Sequence, residues 1–150
     1  MLRSPALGGL ELRRVGGEAR LVGRFPYEWP TEIAAGHFEQ FGPRAFRSRL
    51  EDEGADVHLL SQHDFGRPVA ARLAGSLELR EDETGLEFEA RISPAVADTS
   101  HGRDLLALVH EGLTVGLSPG FRVPPDGAAV ERRADGSVVR TIRAADLYEI

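Results

Sequence analysis

The stretch GLTVGLSPGFRV, residues 112–123, carries one serine, Ser118, with Gly116 and Gly120 two residues away on either side and Pro119 directly after it. Glycines at those offsets let the backbone turn sharply without crowding the hydroxyl, an arrangement in which a serine can face a substrate carbonyl. The same residues also describe an ordinary helix-to-strand connection, with glycines supplying positive φ and the serine a loop hydrogen bond. A serine hydroxyl is a poor nucleophile at its free pKa. The catalytic reading therefore needs a histidine to accept its proton and a third group to orient that histidine.

Five histidines are available: His37, His58, His63, His101 and His110. His110 falls on an expected helix and His101 at its start, positions that suit solvent-facing or capping roles. His58 lies inside an apolar strand, and His37 in a loop without a distinguishing feature. His63 closes the segment VHLLSQHD beside Gln62 and Asp64, where a strand end at a barrel rim would leave one ring nitrogen free for a serine; a turn or edge role fits the same position. No H-E-x-x-H or similar ligand pair occurs, and His63-Asp64 alone is too little for a metal centre. With no cysteines, disulfides, zinc ribbons and thiol chemistry are excluded. No cofactor is expected.

The elements that must hold these residues follow from periodicity. Leu10 and Leu12, then Leu21, Gly23 and Phe25, alternate about Gly16-Gly17 and predict an opening hairpin. The stretch PYEWPTE after it reads as loop. GPRAFRSRLEDEG predicts a short helix over 43–53, with Pro43 at its first position and Phe46 and Leu50 on one face. GSLELREDETGLEFEARI is the clearest hairpin, turning at Glu83-Thr84-Gly85. DTSHGRDLLALVHEG predicts a second helix over 101–111, with Thr99 and Ser100 as N-cap candidates, Leu105, Leu108 and Val109 on one stripe, and Gly112 as the stop. Strands are expected near 20–25, 56–62, 75–80, 86–92, 119–124 and 138–149. The fold class is α+β, mainly antiparallel β: a sheet of about six or seven strands curled into a barrel, with two short helices packed on it.

At 150 residues the chain has room for one domain, spanning 1–150, and its 41% hydrophobic and 28% charged residues are globular values. The net charge of −6, with arginines spread along the chain, points away from nucleic acid and anionic membrane surfaces. There is no run of 18 apolar residues, and MLRSPALGGLELRR lacks the apolar stretch of a signal peptide, so a soluble, unexported protein is expected.

Taken in order, VHLLSQHDFGRPVAARLAGSLELREDETGLEFEARI, GRDLLALVHEGLTVGLSPGFRV and VVRTIRAADLYEI resemble the tailed-phage prohead protease family, capsid maturation proteases related in fold to herpesvirus assemblin. The resemblance covers roughly residues 20–150 and rests on Ala45, Phe46 and Leu50, on His63 and Asp64, on Gly116 to Phe121, and on Asp146 to Glu149. It implies a serine endopeptidase that works inside an assembling procapsid in the host cytoplasm. There it would cut scaffold, or the scaffolding segment of the capsid protein, and then itself. The implied partners are the major capsid protein and scaffold, with self-association inside the procapsid.

By the same resemblance Ser118 matches the nucleophile and His63 the general base, and Glu149, in the L-Y-E position, matches the orienting acid, with Asp146 its rival. Assemblins use a second histidine in that third role, but no histidine follows Ser118 in this chain, so an acid is required. Pro119 has no N–H, so the oxyanion donors must be sought in the N–H of Ser118 or Gly120, or in the Arg122 guanidinium. Family members continue past the D-L-Y-E strand while this chain stops at Ile150. Glu149 is then penultimate, the terminal strand is expected to fray, and a truncated or self-trimmed form is expected. The alternative is a non-catalytic procapsid component that keeps the protease fold and binds scaffold or capsid protein. A small-ligand β-barrel would need a large apolar pocket, for which strand-and-turn units this short leave little room.

Overall fold

The computed structural model describes residues 9–113 and 116–150. Residues 1–8, read above for a signal peptide, and Thr114 and Val115 of the serine-bearing loop lie outside the described residues. In chain order the strands are β1 (Leu10–Val15), β2 (Glu18–Pro26), β3 (Thr31–Ala34), β4 (His37–Phe41), β5 (His58–Leu60), β6 (Pro68–Ala71), β7 (Leu77–Glu81), β8 (Gly85–Ile92), β9 (Gly120–Arg122), β10 (Ala128–Arg132), β11 (Val138–Ile142) and β12 (Asp146–Glu149). The helices are α1 (Arg47–Glu51), α2 (Pro94–Ala97) and α3 (Ser100–His110).

Gly16 and Gly17 take φ of +58° and +81°, the left-handed pair a two-residue hairpin turn demands, and set Val15 opposite Glu18. The second hairpin closes through Asp82, whose Oδ1 accepts from Thr84 N at 2.7 Å and Gly85 N at 2.9 Å. The two hairpins meet along β2 and β8, giving a sheet of order β1-β2-β8-β7. On β2, Ala19, Leu21 and Phe25 alternate inward to burial. α3 also forms as expected: Thr99 accepts from Gly102 N at its start, and Gly112, at φ +70°, follows its end.

Other expectations are corrected. The described residues hold twelve strands rather than six or seven, in three four-stranded sheets, none closed into a barrel. PYEWPTE runs into the β3–β4 hairpin, and His37 opens β4 instead of lying in a loop. The closing stretch 138–149 forms two strands, β11 and β12. Arg143 N and Ala144 N both turn to Gly127 O, at 2.7 and 3.1 Å, and Ala145 N bonds Ala45 O, so the chain leaves the sheet β10-β11-β4-β3 and enters the sheet β6-β5-β12-β9. α1 cannot start at Pro43, because Arg44 has φ +53°; the helix begins at Arg47, with Glu81 Oε2 accepting from Phe46 N at 2.8 Å just ahead of it. On α3 the buried side chain is Leu106, while Leu108 is exposed. α2, capped by Ser93, was not foreseen.

Mainly antiparallel pairing holds, with two exceptions: β4 runs parallel to β11, and β5 parallel to β12. One core joins all three sheets. Phe41 of β4 touches Phe25 of β2, Phe46 ahead of α1 and Phe121 of β9, with ring centroids 5.0–5.1 Å apart.

Candidate active site

Three strand ends of the sheet β6-β5-β12-β9 meet at one edge. β5 and β12 are parallel, so their C-terminal ends point the same way, and β9, antiparallel to β12, begins where β12 ends. The first of these ends leads to His63, the second carries Glu149, and the third is preceded by Ser118.

His63 lies in a tight turn after β5. Gln62 and His63 both have φ of +57°, a left-handed conformation that costs a non-glycine residue of order 1–2 kcal/mol. Such residues persist where the surroundings over-determine them. Here the turn is tied by Ser61 N to Arg67 O at 3.0 Å, Arg67 N to Asp64 O at 2.8 Å and Asp64 N to Ser61 O at 3.2 Å. The Asp64 carboxylate accepts from Gly66 N at 2.8 Å, so the Asp of the H-D pair builds the turn that aims the His.

That turn directs the His63 ring at β12. His63 Nδ1–H donates to Glu149 Oε1 at 2.6 Å, with the Glu149 side chain 4% exposed. With Glu149 ionised the carboxylate has no proton to give, and the bond then holds the proton on Nδ1 and leaves the Nε2 lone pair open as a base. Burial pushes the Glu149 carboxyl above its ordinary range, against the lowering effect of the His63 bond. Its second oxygen, Oε2, is buried without a hydrogen-bond partner among the described residues. A positive charge developing on His63 would meet a carboxylate in a poorly solvated site, where Coulomb attraction is strong. Asp146, the rival acid, sits at the other end of β12 opposite Arg122 and makes no hydrogen bond to His63.

The expected fraying of Glu149 is also corrected. Glu149 lies within β12, and Ile150 N donates to His58 O while Leu60 N donates to Ile150 O, both at 2.9 Å. Those bonds hold the strand end against β5.

Gly120 faces Glu149 across the β9–β12 pair, and a Cβ there would fall on the carboxylate, 2.5 Å from its carbon and 2.7 Å from Cγ. Gly120 does not have positive φ. Gly120 is there to let the carboxylate cross the strand, which corrects its reading as a turn former. Two residues of chain, at most about 7 Å, separate Gly120 from Ser118. Ser118 is half-buried between Leu117 and Pro119, both buried. Leu117 packs over Gly23 of β2, where a Cβ would come within 2.7 Å of its Cδ1, so the serine's neighbour is seated on the larger sheet. Among the described residues the Ser118 hydroxyl makes no hydrogen bond, so the structure brings His63 and Glu149 into contact and Ser118 to the same sheet edge without a bond to either.

The remaining candidates stand elsewhere. Arg122 is exposed, four residues past Ser118, with its guanidinium carbon 5.5 Å from the Tyr148 ring centre. His58 pairs with Asp56 at 3.5 Å, His101 Nε2–H donates to Pro68 O at 2.9 Å, and His110 lies beside Glu111. Among the described residues no three His, Asp or Glu side chains gather as a metal site, and no helix is long and apolar enough to cross a membrane.

No curated protein and no solved structure matches the chain. The model of the caudovirus prohead serine protease family matches residues 24–150, the stretch that contains β5, β9, β12 and the three side chains above, and the chain belongs to that family.

Proposed function

We propose that this protein is a serine endopeptidase of procapsid maturation, with Ser118 as nucleophile, His63 as general base and Glu149 as the acid that orients it. The observation that carries this reading is the 2.6 Å His63–Glu149 bond at the sheet edge where β9, the strand that follows Ser118, begins. In the acylation step His63 Nε2 takes the Ser118 proton as Oγ attacks the scissile carbonyl. The imidazolium is held by Glu149 and then protonates the leaving amine; water repeats the sequence to release the acyl group. Pro119 offers no N–H, so the oxyanion falls to the N–H of Ser118 or Gly120, or to Arg122.

Family membership supports substrates among capsid components: scaffold, or the scaffolding segment of the major capsid protein, and the protease itself, inside the procapsid in the host cell. Confinement in a shell raises the effective concentration of protease copies and substrate together, so weak intrinsic affinity suffices. Co-expressed with its capsid and scaffold proteins, the parent processes them and Ser118→Ala leaves them full-length. Processing at the parent rate by Ser118→Ala overturns the reading.

One observation favours a second reading. The unbonded Ser118 hydroxyl is what a passive loop serine would show in a non-catalytic procapsid protein that binds scaffold or capsid protein. Catalytic hydrogen bonds are often loose in free enzymes and tighten on the substrate, so the first reading stands.

A further inference from the structure

The β5–β12 pair that brings His63 to Glu149 is thinly held by its own backbone. It has a single paired position, Glu149 opposite His58, and the ladder bonds run from Ile150 N to His58 O and from Leu60 N to Ile150 O, toward the C-terminal ends. Two residues upstream of that pair stand the carbonyls of Leu147, in β12, and Asp56, just before β5. One side chain takes both: Arg49 of α1 donates from Nε to Leu147 O at 2.7 Å and from Nη2 to Asp56 O at 2.7 Å. Its guanidinium carbon lies 4.3 Å from the centre of the Tyr148 ring, directly before Glu149. Arg49 is itself anchored. Arg72, just after β6, donates to the carbonyls of Arg49, Leu50, Asp52 and Ala55 at 2.7–3.1 Å and pins the end of α1.

We propose that Arg49 is a positioning residue for the candidate site: its guanidinium stitches β5 to β12 where the ladder is missing, and so sets the separation at which His63 Nδ1 meets Glu149 Oε1. For its effect on turnover the inference rests on the protease reading; for its effect on the His63–Glu149 bond it does not. A planar fork is required to span two carbonyls from one stem while lying on an aromatic face, and lysine offers a single point charge. Displacing the base by a fraction of an ångström is costly, since a 1 Å misplacement costs about 100-fold in rate.

The test compares parent, Arg49→Lys and Arg49→Ala well below their unfolding temperatures. Turnover is measured on a peptide spanning a mapped cleavage site, and the His63 Nδ1–H proton resonance is recorded in each protein. Arg49→Lys is expected to lower kcat by about 10- to 100-fold, with KM within about 2-fold, and to move the Nδ1–H resonance upfield or broaden it away. Millimolar ethylguanidinium is expected to restore part of the Arg49→Ala loss while leaving Glu149→Gln unaffected. A parental Nδ1–H resonance in folded Arg49→Lys overturns the proposal, as does a parental kcat. Should Arg49→Ala not fold, the lysine variant decides alone. If the parent itself cleaves nothing, the protease reading fails, and the resonance in parent against Arg49→Lys still decides the role of Arg49.

Discussion

In the sheet β1-β2-β8-β7 the central strands pair without interruption from Ala19 opposite Ile92 to Pro26 opposite Gly85, and the inward residues alternate strictly. In the sheet β6-β5-β12-β9 the strands are three or four residues long. Its registers slip between Leu59 and Leu60 and between Leu147 and Glu149, and a buried carboxylate faces a glycine. The first sheet is stabilised by burial that any well-matched apolar set would supply. The second depends on particular side chains: Arg49 and Arg72 supply bonds to backbone carbonyls, and Gly120 supplies space. Regular pairing holds the molecule together, and the irregular sheet, with its left-handed His63 turn, holds the candidate site. Local rules broken under tight constraint are expected where a site is built.

Substitutions in the irregular sheet should therefore cost activity far more than stability. In subtilisin, removing the nucleophile or the base costs about 10⁶ in turnover, and removing the acid alone costs less, about 10⁴ to 10⁵. His63→Ala is expected to fall in the first class and Glu149→Gln in the second, measured as cleavage over long incubation, with Asp146→Asn close to the parent. A crippling Asp146→Asn beside a harmless Glu149→Gln would move the acid role three residues upstream.

The comparison sharpens with two truncation-scale changes of opposite kind. Gly120→Ala puts a methyl group onto the Glu149 carboxylate, which is buried. It is expected to lower turnover by about 100-fold or more through displacement of Glu149, with a smaller change in urea midpoint than the next variant. Leu21→Ala, at a β2 position 1% exposed, is expected to cost about 2–5 kcal/mol in urea unfolding while the folded fraction keeps its turnover. Equal losses of stability from both, or a loss of turnover in folded Leu21→Ala, would erase the distinction between the sheets.

The same contrast explains what could be read from the sequence. The β1–β2 and β7–β8 hairpins were legible because their alternation is long and their turns carry Gly16-Gly17 and Asp82 to Gly85, and α3 because Thr99 and Gly112 mark its ends. β3, β4, β6 and β10 were not foreseen, since four or five residues such as PVAA or AAVER carry too little pattern. The parallel pairs β4–β11 and β5–β12 join distant segments, and spacing contains no trace of them. For the site, Ser118 and His63 stood out by type and context, whereas the acid came through family resemblance, because no periodicity links residues 86 apart. Arg49 was not singled out in the sequence at all. The available signal was an arginine on the helix packed against the D-L-Y-E strand, and arginines outnumber such roles many times over.

The most direct measurement is covalent labelling of the purified protein with a fluorophosphonate probe, read by mass spectrometry of its peptides. Such a probe reports an activated serine without requiring the natural substrate. A triad of Ser118, His63 and Glu149 predicts one adduct, on Ser118, that is absent in His63→Ala and slowed in Glu149→Gln. An unlabelled folded parent, or labelling of His63→Ala at the parent rate, would contradict it.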